Sequence, residues 1–156
     1  MRNAIQLPEP AQAPRYAAET RAYLDLLHTH GSITTRSVGL YKNHGVTEQQ
    51  YHVLRVLAEA GPDGLSCLEL GERLPTPAPD VTRLIERLRR AGLASRRRWP
   101  EDRRVVRLEL TERGRCVLRK LGPALARFHR DRLAHMSEQE LDLLTLLLRK
   151  ARGVEA

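Results

Sequence analysis

Apolar residues fall along this chain mostly at the 3.6-residue spacing of helices with one buried face, and at one place they alternate instead. From about Pro14 to Asn43, Tyr16, Tyr23, Leu24, Leu27, Ile33, Val38 and Leu40 make a long, thin stripe. The stripe predicts one helix, with Pro14 suited to its first turn and "NHG", ending at Gly45, to a left-handed stop. Gly31 and Gly39 are candidate kinks. A stripe this narrow suits packing against another chain more than burial in a single core.

Three further helix starts are written as reciprocal caps. "TEQQ", "SCLE" and "SEQE" place Thr47, Ser66 and Ser137 three residues ahead of Gln50, Glu69 and Glu140. They predict helices over roughly 47–60, 66–74 and 137–152, with "GPDG" at 61–64 breaking the first from the second. In "LPTPAPDVTRLIERLRRAG" three prolines precede a strong helical period. Pro77 and Pro79 fit a first turn, whose N–H groups have no intrahelical partner. Either Thr76 or Ala78 is expected to cap, and Gly92 to end the helix. Val81, Leu84, Ile85 and Leu88 define its buried side; Pro79, Arg83, Glu86 and Arg90 project opposite, flanked by Thr82 and Arg87.

Beyond Gly92, "LASRRR" and "VVRLEL" read as two strands joined by a "WPEDR" tip. In the second, Val106, Leu108 and Leu110 alternate with Arg107 and Glu109. Thr111 then opens a long helix, expected to bend at Gly122-Pro123 and to run to about His135.

Charge sharpens the picture. The chain has 156 residues and a net charge of +8, and its only lysines are Lys42, Lys120 and Lys150, so arginine supplies most of the positive charge. Between Arg83 and Arg107 ten arginines face three acids, Glu86, Glu101 and Asp102, which places nearly all the excess in one segment. Arginine's planar fork suits phosphates and guanine edges, so the segment reads as a docking face for a polyanion.

The order helix, tight turn, helix, basic hairpin is that of a winged helix-turn-helix. Its second helix can enter a major groove, and the hairpin then lies beside the neighbouring minor groove, whose negative potential attracts guanidinium groups. Phosphates would relieve the repulsion among Arg96, Arg97, Arg98, Arg103 and Arg104, with Asp102 partly holding the tip.

"VTRLIERLRRAGLASRR", "PEDRRVVRLEL" and "LTERGR" together resemble the MarR (multiple antibiotic resistance regulator) family of bacterial transcription factors. The resemblance runs from about Thr47 to Arg115 and more loosely into the flanking helices. It implies a homodimer whose first and last helices interlock and whose two winged domains read a palindrome. The family's wing signature, Asp-any-Arg, is matched by Asp102 and Arg104; Arg104 would enter the minor groove with Asp102 orienting it and Arg103 as a second contact. The recognition helix corresponds to about Ala78–Arg90. Two departures stand out. "PTPAPD" replaces a serine-rich approach to that helix, which shifts base contacts toward Thr76, Thr82 and Arg83. The first helix also lacks the cysteine of peroxide-sensing members; Cys67 and Cys116 are read as packing residues.

The expected fold is therefore mainly α: a winged helix-turn-helix with a small β-hairpin wing, flanked by N- and C-terminal dimerisation helices. Residues 1–13 are expected to form a disordered tail, 14–46 the first dimerisation helix, 47–110 the DNA-binding domain and 111–156 the C-terminal dimerisation helices. The interface set is Thr76, Ala78, Pro79, Thr82, Arg83, Glu86, Arg87 and Arg90 on the helix, and Arg96, Arg97, Arg98, Asp102, Arg103 and Arg104 on the wing. "LDLLTLLLRK", apolar nearly all round, supports a dimer on its own account, with half-sites about one helical turn apart.

The function expected is a double-stranded DNA-binding regulator, a repressor by the family's commoner habit, located in the cytoplasm, needing no cofactor or metal and no membrane. The family also implies release by a small aromatic or lipophilic effector, for which Tyr23, Tyr41 and Tyr51 are candidate wall residues. Rival classes fit less well. No histidine pair has the spacing of helical zinc ligands, and no phosphate-cradling glycine loop or nucleophile elbow is present, which speaks against an enzyme. Double-stranded RNA has a groove too deep and narrow for a helix, and Trp99 is the only aromatic near the basic segment. A winged-helix scaffold that binds protein is the alternative, though such a scaffold needs no wing this basic.

Overall fold

Each predicted reciprocal cap forms. In the computed structural model, which describes residues 17–75, 80–98 and 106–153, Thr47 Oγ1 accepts the Gln50 N–H at 3.2 Å while Gln50 Oε1 accepts the Thr47 N–H at 2.9 Å. Ser66 with Glu69 and Ser137 with Glu140 repeat the pattern. These caps open α2 (Glu48–Glu59), α3 (Cys67–Arg73) and α6 (Glu138–Ala151); α1 is Ala18–Asn43, α4 Val81–Arg90 and α5 Glu112–Leu133. Two strands, β1 (Ala94–Arg98) and β2 (Val106–Leu110), stand between α4 and α5, and a 3₁₀ turn at Gly61–Asp63 separates α2 from α3.

The end of α1 is a left-handed cap of the expected kind. Gly45 has φ +71°, its N–H reaches the Lys42 carbonyl at 3.0 Å, and the Val46 N–H reaches the Tyr41 carbonyl at 3.2 Å. A side chain would be strained at that φ, so glycine there is a local requirement.

The chain divides into two units, one up to Arg36 and one from Ser37 onward. In the first, the described part of α1 is mostly exposed, with Tyr23, Leu26 and Leu27 open to solvent. The second holds the hydrophobic core. Val53, Leu54 and Leu57 of α2, Leu70 of α3, Leu84, Ile85 and Leu88 of α4, Leu108 of β2 and Leu121 of α5 are almost completely buried. The predicted buried side of α4 is thus realised, with Val81 half-buried at its start. α5 runs through Pro123, which is exposed and supplies no N–H to the Arg119 carbonyl.

β1 and β2 pair antiparallel, with Arg96 opposite Leu108 and Arg97 opposite Arg107. Leu65 adds a single bridge on the far side of β2, trading two backbone hydrogen bonds with Leu108 at 3.0 and 2.7 Å. This clamps the hairpin to the turn between α2 and α3. Leu108 and Leu110 are buried as the alternation predicts, whereas Val106 is exposed at the outer end of the strand.

Two expectations need correction. α4 begins later than the prolines suggested: Asp80 is the cap, accepting the Arg83 N–H at 2.9 Å, and the helix starts at Val81. Thr76 and Ala78 each stand before a proline, as a cap can, but the Asp80 carboxylate is a strong acceptor further along and takes the Arg83 N–H. The other correction concerns Cys67. It is exposed at the first position of α3 and packs into no core, while Cys116 is half-buried.

The caps carry a pH dependence. Hydrogen bonds from Ser66 and Ser137 hold the Glu69 and Glu140 carboxyls below the ordinary value of 4.5, and Arg119 does the same for Glu112. A depressed folded pKa stabilises the fold fully above about pH 4.5, and that stability is lost as pH falls through the folded value. Glu69→Gln keeps the capping acceptor but cannot titrate. Acid titration followed by circular dichroism is therefore expected to show a shallower loss of stability below pH 4.5 in the variant than in the parent.

Candidate nucleic-acid interface

The polar side of α4 is open. Thr82, Arg83, Arg87 and Arg90 are exposed and Glu86 is half-buried, around a cleft of about 500 Å³ lined by Asp80, Arg83, Glu86, Arg87 and Arg90. The amphipathic sequence places them there: once Leu84, Ile85 and Leu88 enter the core, positions 83, 87 and 90 must face away from it. Two acids organise this face. Asp80 Oδ2 lies 2.9 Å from Arg83 Nε, and Glu86 accepts from Arg89 Nη1 at 2.8 Å with Arg90 Nε 3.8 Å away. Arg87 makes no ion pair among the described residues. Thr76, Ala78 and Pro79 lie outside the described residues.

The hairpin's consecutive arginines divide between two faces. The register puts Arg96 and Arg98 on the side of Leu108 and Val106, and Arg97 on the side of Arg107 and Glu109. Arg97 and Arg107 sit directly opposite each other, a repulsive arrangement. Acids and carbonyls of the protein itself answer it. Arg97 pairs with its diagonal neighbour Glu109 and donates to the Pro62 carbonyl at 3.2 Å; Arg107 donates to the Gly64 carbonyl at 3.2 Å and Glu69 at 3.4 Å. Part of the repulsion that the sequence assigned to phosphates is thus relieved internally. Arg96 and Arg98 are exposed and make no ion pair among the described residues. Asp102, Arg103 and Arg104, the wing signature, lie outside the described residues.

Sequence reasoning overlooked Asp80, Glu69, Arg107 and Glu109 as organisers of this surface. A signal was available for one pair: alternation along β2 already put Arg107 and Glu109 on a common face.

The tyrosines split. Tyr41 is in the core, its ring centre 5.7 Å from that of half-buried Tyr51, and burial, with Glu48 nearby, pushes its hydroxyl up to about 12. Tyr23 is exposed. Where α1 ends and α2 begins, Val38, Tyr41, Lys42, Val46, Thr47 and Glu48 border a mostly apolar groove of about 520 Å³. Among the described residues no His, Cys, Asp and Glu cluster could hold a metal ion, and no helix is long and apolar enough to cross a membrane.

The chain is similar to known proteins in sequence and fold. Residues 44–105 match the profile of the MarR family. The chain is 33% identical over 120 residues to the uncharacterised helix-turn-helix transcriptional regulator YkoM of Bacillus subtilis, covering 77% of each chain. Among solved structures it is similar to a MarR transcription factor of Planctomyces limnophilus, with 34% identity, a TM-score of 0.65 and coverage of 87% of this chain and 98% of that one. It is also similar to the PcaV transcriptional regulator of Streptomyces coelicolor, solved with its natural ligand: 28% identity, TM-score 0.67, coverage 88% and 93%.

Proposed function

Because the chain belongs to the MarR family of winged helix-turn-helix regulators, a family of DNA-binding regulators and not of enzymes, we propose that it is a repressor that grips a palindromic operator as a homodimer. The observation that carries this reading is the open arginine face of α4 beside a basic hairpin with exposed Arg96 and Arg98. α4 would lie in the major groove, with Thr82, Arg83, Arg87 and Arg90 facing the duplex and Thr76, Ala78 and Pro79 at its approach. The wing would reach the adjacent minor groove through Arg104, oriented by Asp102, with Arg96, Arg98 and Arg103 on flanking phosphates. Arg97 serves the hairpin's own integrity in this reading. Bound across a promoter, such a dimer blocks transcription.

The domain plan follows: 47–110 contacts DNA, and the helices on either side pair the two chains. No residue of α6 is buried, and Leu143, Leu144, Leu146, Leu147 and Leu148 are all exposed. A surface that apolar calls for a covering partner. Leu143→Glu combined with Leu147→Glu is expected to convert a species of twice the 17.8 kDa chain mass into a single chain. DNA affinity should drop more than tenfold, since one half-site then binds alone. Sedimentation at micromolar concentration reads the first effect, and an unchanged mass would refute the assignment of α6.

In vitro selection of bound DNA with the purified protein tests the whole reading. A recovered palindrome with half-sites about one helical turn apart supports it; recovery of random sequence rejects it. A small aromatic or lipophilic effector would fit the groove beside Tyr41, and the relative PcaV, which holds a natural ligand, supports such a role.

A further inference from the structure

Arg83 is the most exposed of the paired arginines on α4, its side chain 85% accessible, yet it is held at both ends by one carboxylate. Asp80 Oδ1 accepts the backbone N–H of Arg83 at 2.9 Å, and Asp80 Oδ2 sits 2.9 Å from its Nε. No other arginine of α4 has its backbone and its guanidinium on the same acid among the described residues. With Nε on Asp80, the guanidinium still carries the paired N–H donors of its two Nη groups, which form an end-on fork. Guanine presents two acceptors, O6 and N7, that match such a fork.

A phosphate would match it too, but the two ligands differ in charge. The Asp80 carboxylate repels a phosphate oxygen brought up to the same guanidinium, and repels an uncharged base edge far less. It also spares Arg83 part of the ordering cost that a freely rotating side chain meets on binding.

We infer that Asp80, besides capping α4, is a positioning residue that directs Arg83 to a guanine in each operator half-site and away from the backbone. The inference rests on α4 being the helix that enters the major groove. Arg87, which makes no ion pair among the described residues, is left to phosphate or base alike.

Asp80→Asn separates the two roles, because asparagine caps a helix as well as aspartate but its neutral amide attracts the guanidinium far less. Asp80→Ser, another good cap, serves as a second variant. Full-length wild type, both variants and Arg83→Ala are compared by selection from random DNA and by competition binding. Wild type is expected to recover a guanine whose preference falls by about tenfold or more in Arg83→Ala. Asp80→Asn and Asp80→Ser reduce the same preference by about two- to fivefold, keep the thermal midpoint and bind random DNA no less tightly. An identical base preference in wild type and both Asp80 variants overturns the inference while leaving the regulator reading intact. A preference that falls in Arg83→Ala at a base other than guanine also overturns it. Failure of wild type to select any motif removes the regulator reading and the inference with it.

Discussion

Arg104→Ala is expected to weaken binding to operator and to random DNA alike, by about tenfold or more, and to flatten the dependence on salt. A cation held in the minor groove also displaces counterions condensed on the duplex. A phosphate contact is worth about 0.9 in the slope of log affinity against log salt, and a dimer loses the charge of Arg104 in both wings. The expectation is specific to the wing because the hairpin's positive charges are not equivalent. Arg97 and Arg107 are bound to Glu109, Glu69 and backbone carbonyls, so little of their charge is free for a ligand. Arg96 and Arg98 are exposed on the other face. Arg98→Ala should therefore flatten the salt dependence as Arg104→Ala does, without altering which bases are selected. Fluorescence anisotropy across a salt series, on one operator and one scrambled duplex, measures both quantities. An unchanged affinity for both duplexes in Arg104→Ala would refute the placement of Arg104 in the minor groove, and the same result in Arg98→Ala would remove the wing from the interface.

Gly114→Ala is expected to cost about 2–3 kcal/mol and to lower the thermal midpoint by roughly 5–10 °C. Gly114 lies in the first turn of α5, where its N–H is capped by Thr111 Oγ1 at 3.1 Å. The Thr111 hydroxyl in turn donates to the Gly92 carbonyl at 2.8 Å, and the Thr111 N–H reaches the Leu93 carbonyl at 3.3 Å. A Cβ at position 114 would press on that same Leu93 carbonyl and come within 2.6 Å of Leu110 Cδ1. Backbone cannot step aside as a flexible side chain can, so the seam where the hairpin meets α5 would have to open. Gly39 is the control: it is helical, with nothing within 4 Å of an added Cβ, and Gly39→Ala should be neutral or gain up to about 1 kcal/mol. Equal shifts in the two variants would mean that the clash at Gly114 is not what decides the outcome. Because the seam anchors the base of the wing, Gly114→Ala should also reduce DNA affinity.

Local signals in the sequence suffice wherever a few neighbouring residues decide the outcome. A hydroxyl three positions ahead of an acceptor makes a cap regardless of what surrounds it, and Thr47, Ser66 and Ser137 each do so. The stop at Gly45 and the buried side of α4 are of the same kind. The start of α4 differs from expectation because prolines and a capping carboxylate compete within five residues, and proline's fitness for a first turn points upstream of Asp80. Cys67 differs because cysteine's general tendency to be buried says nothing about which side of α3 meets a neighbour.

The candidate interface is legible in outline and not in its wiring. Exposure of Arg83, Arg87 and Arg90 follows from helical period alone, and a basic hairpin directly after α4 follows from the order of elements. Which arginines keep their charge for a partner does not follow. Arg97 meets Glu109 through strand register, and Arg107 meets Glu69 because the Leu65 bridge brings the start of α3 against β2.

What this chain's sequence determined by itself was the identity and order of its elements, the caps that bound them, and the side of α4 left polar, since these depend on contacts within a turn or two. Only the tertiary structure decided how the arginines are shared between the protein and a partner, and why a side chain at Gly114 is costly. Both depend on groups far apart in the chain that meet only once β1, β2 and α5 have packed, and no periodicity encodes which of them will touch.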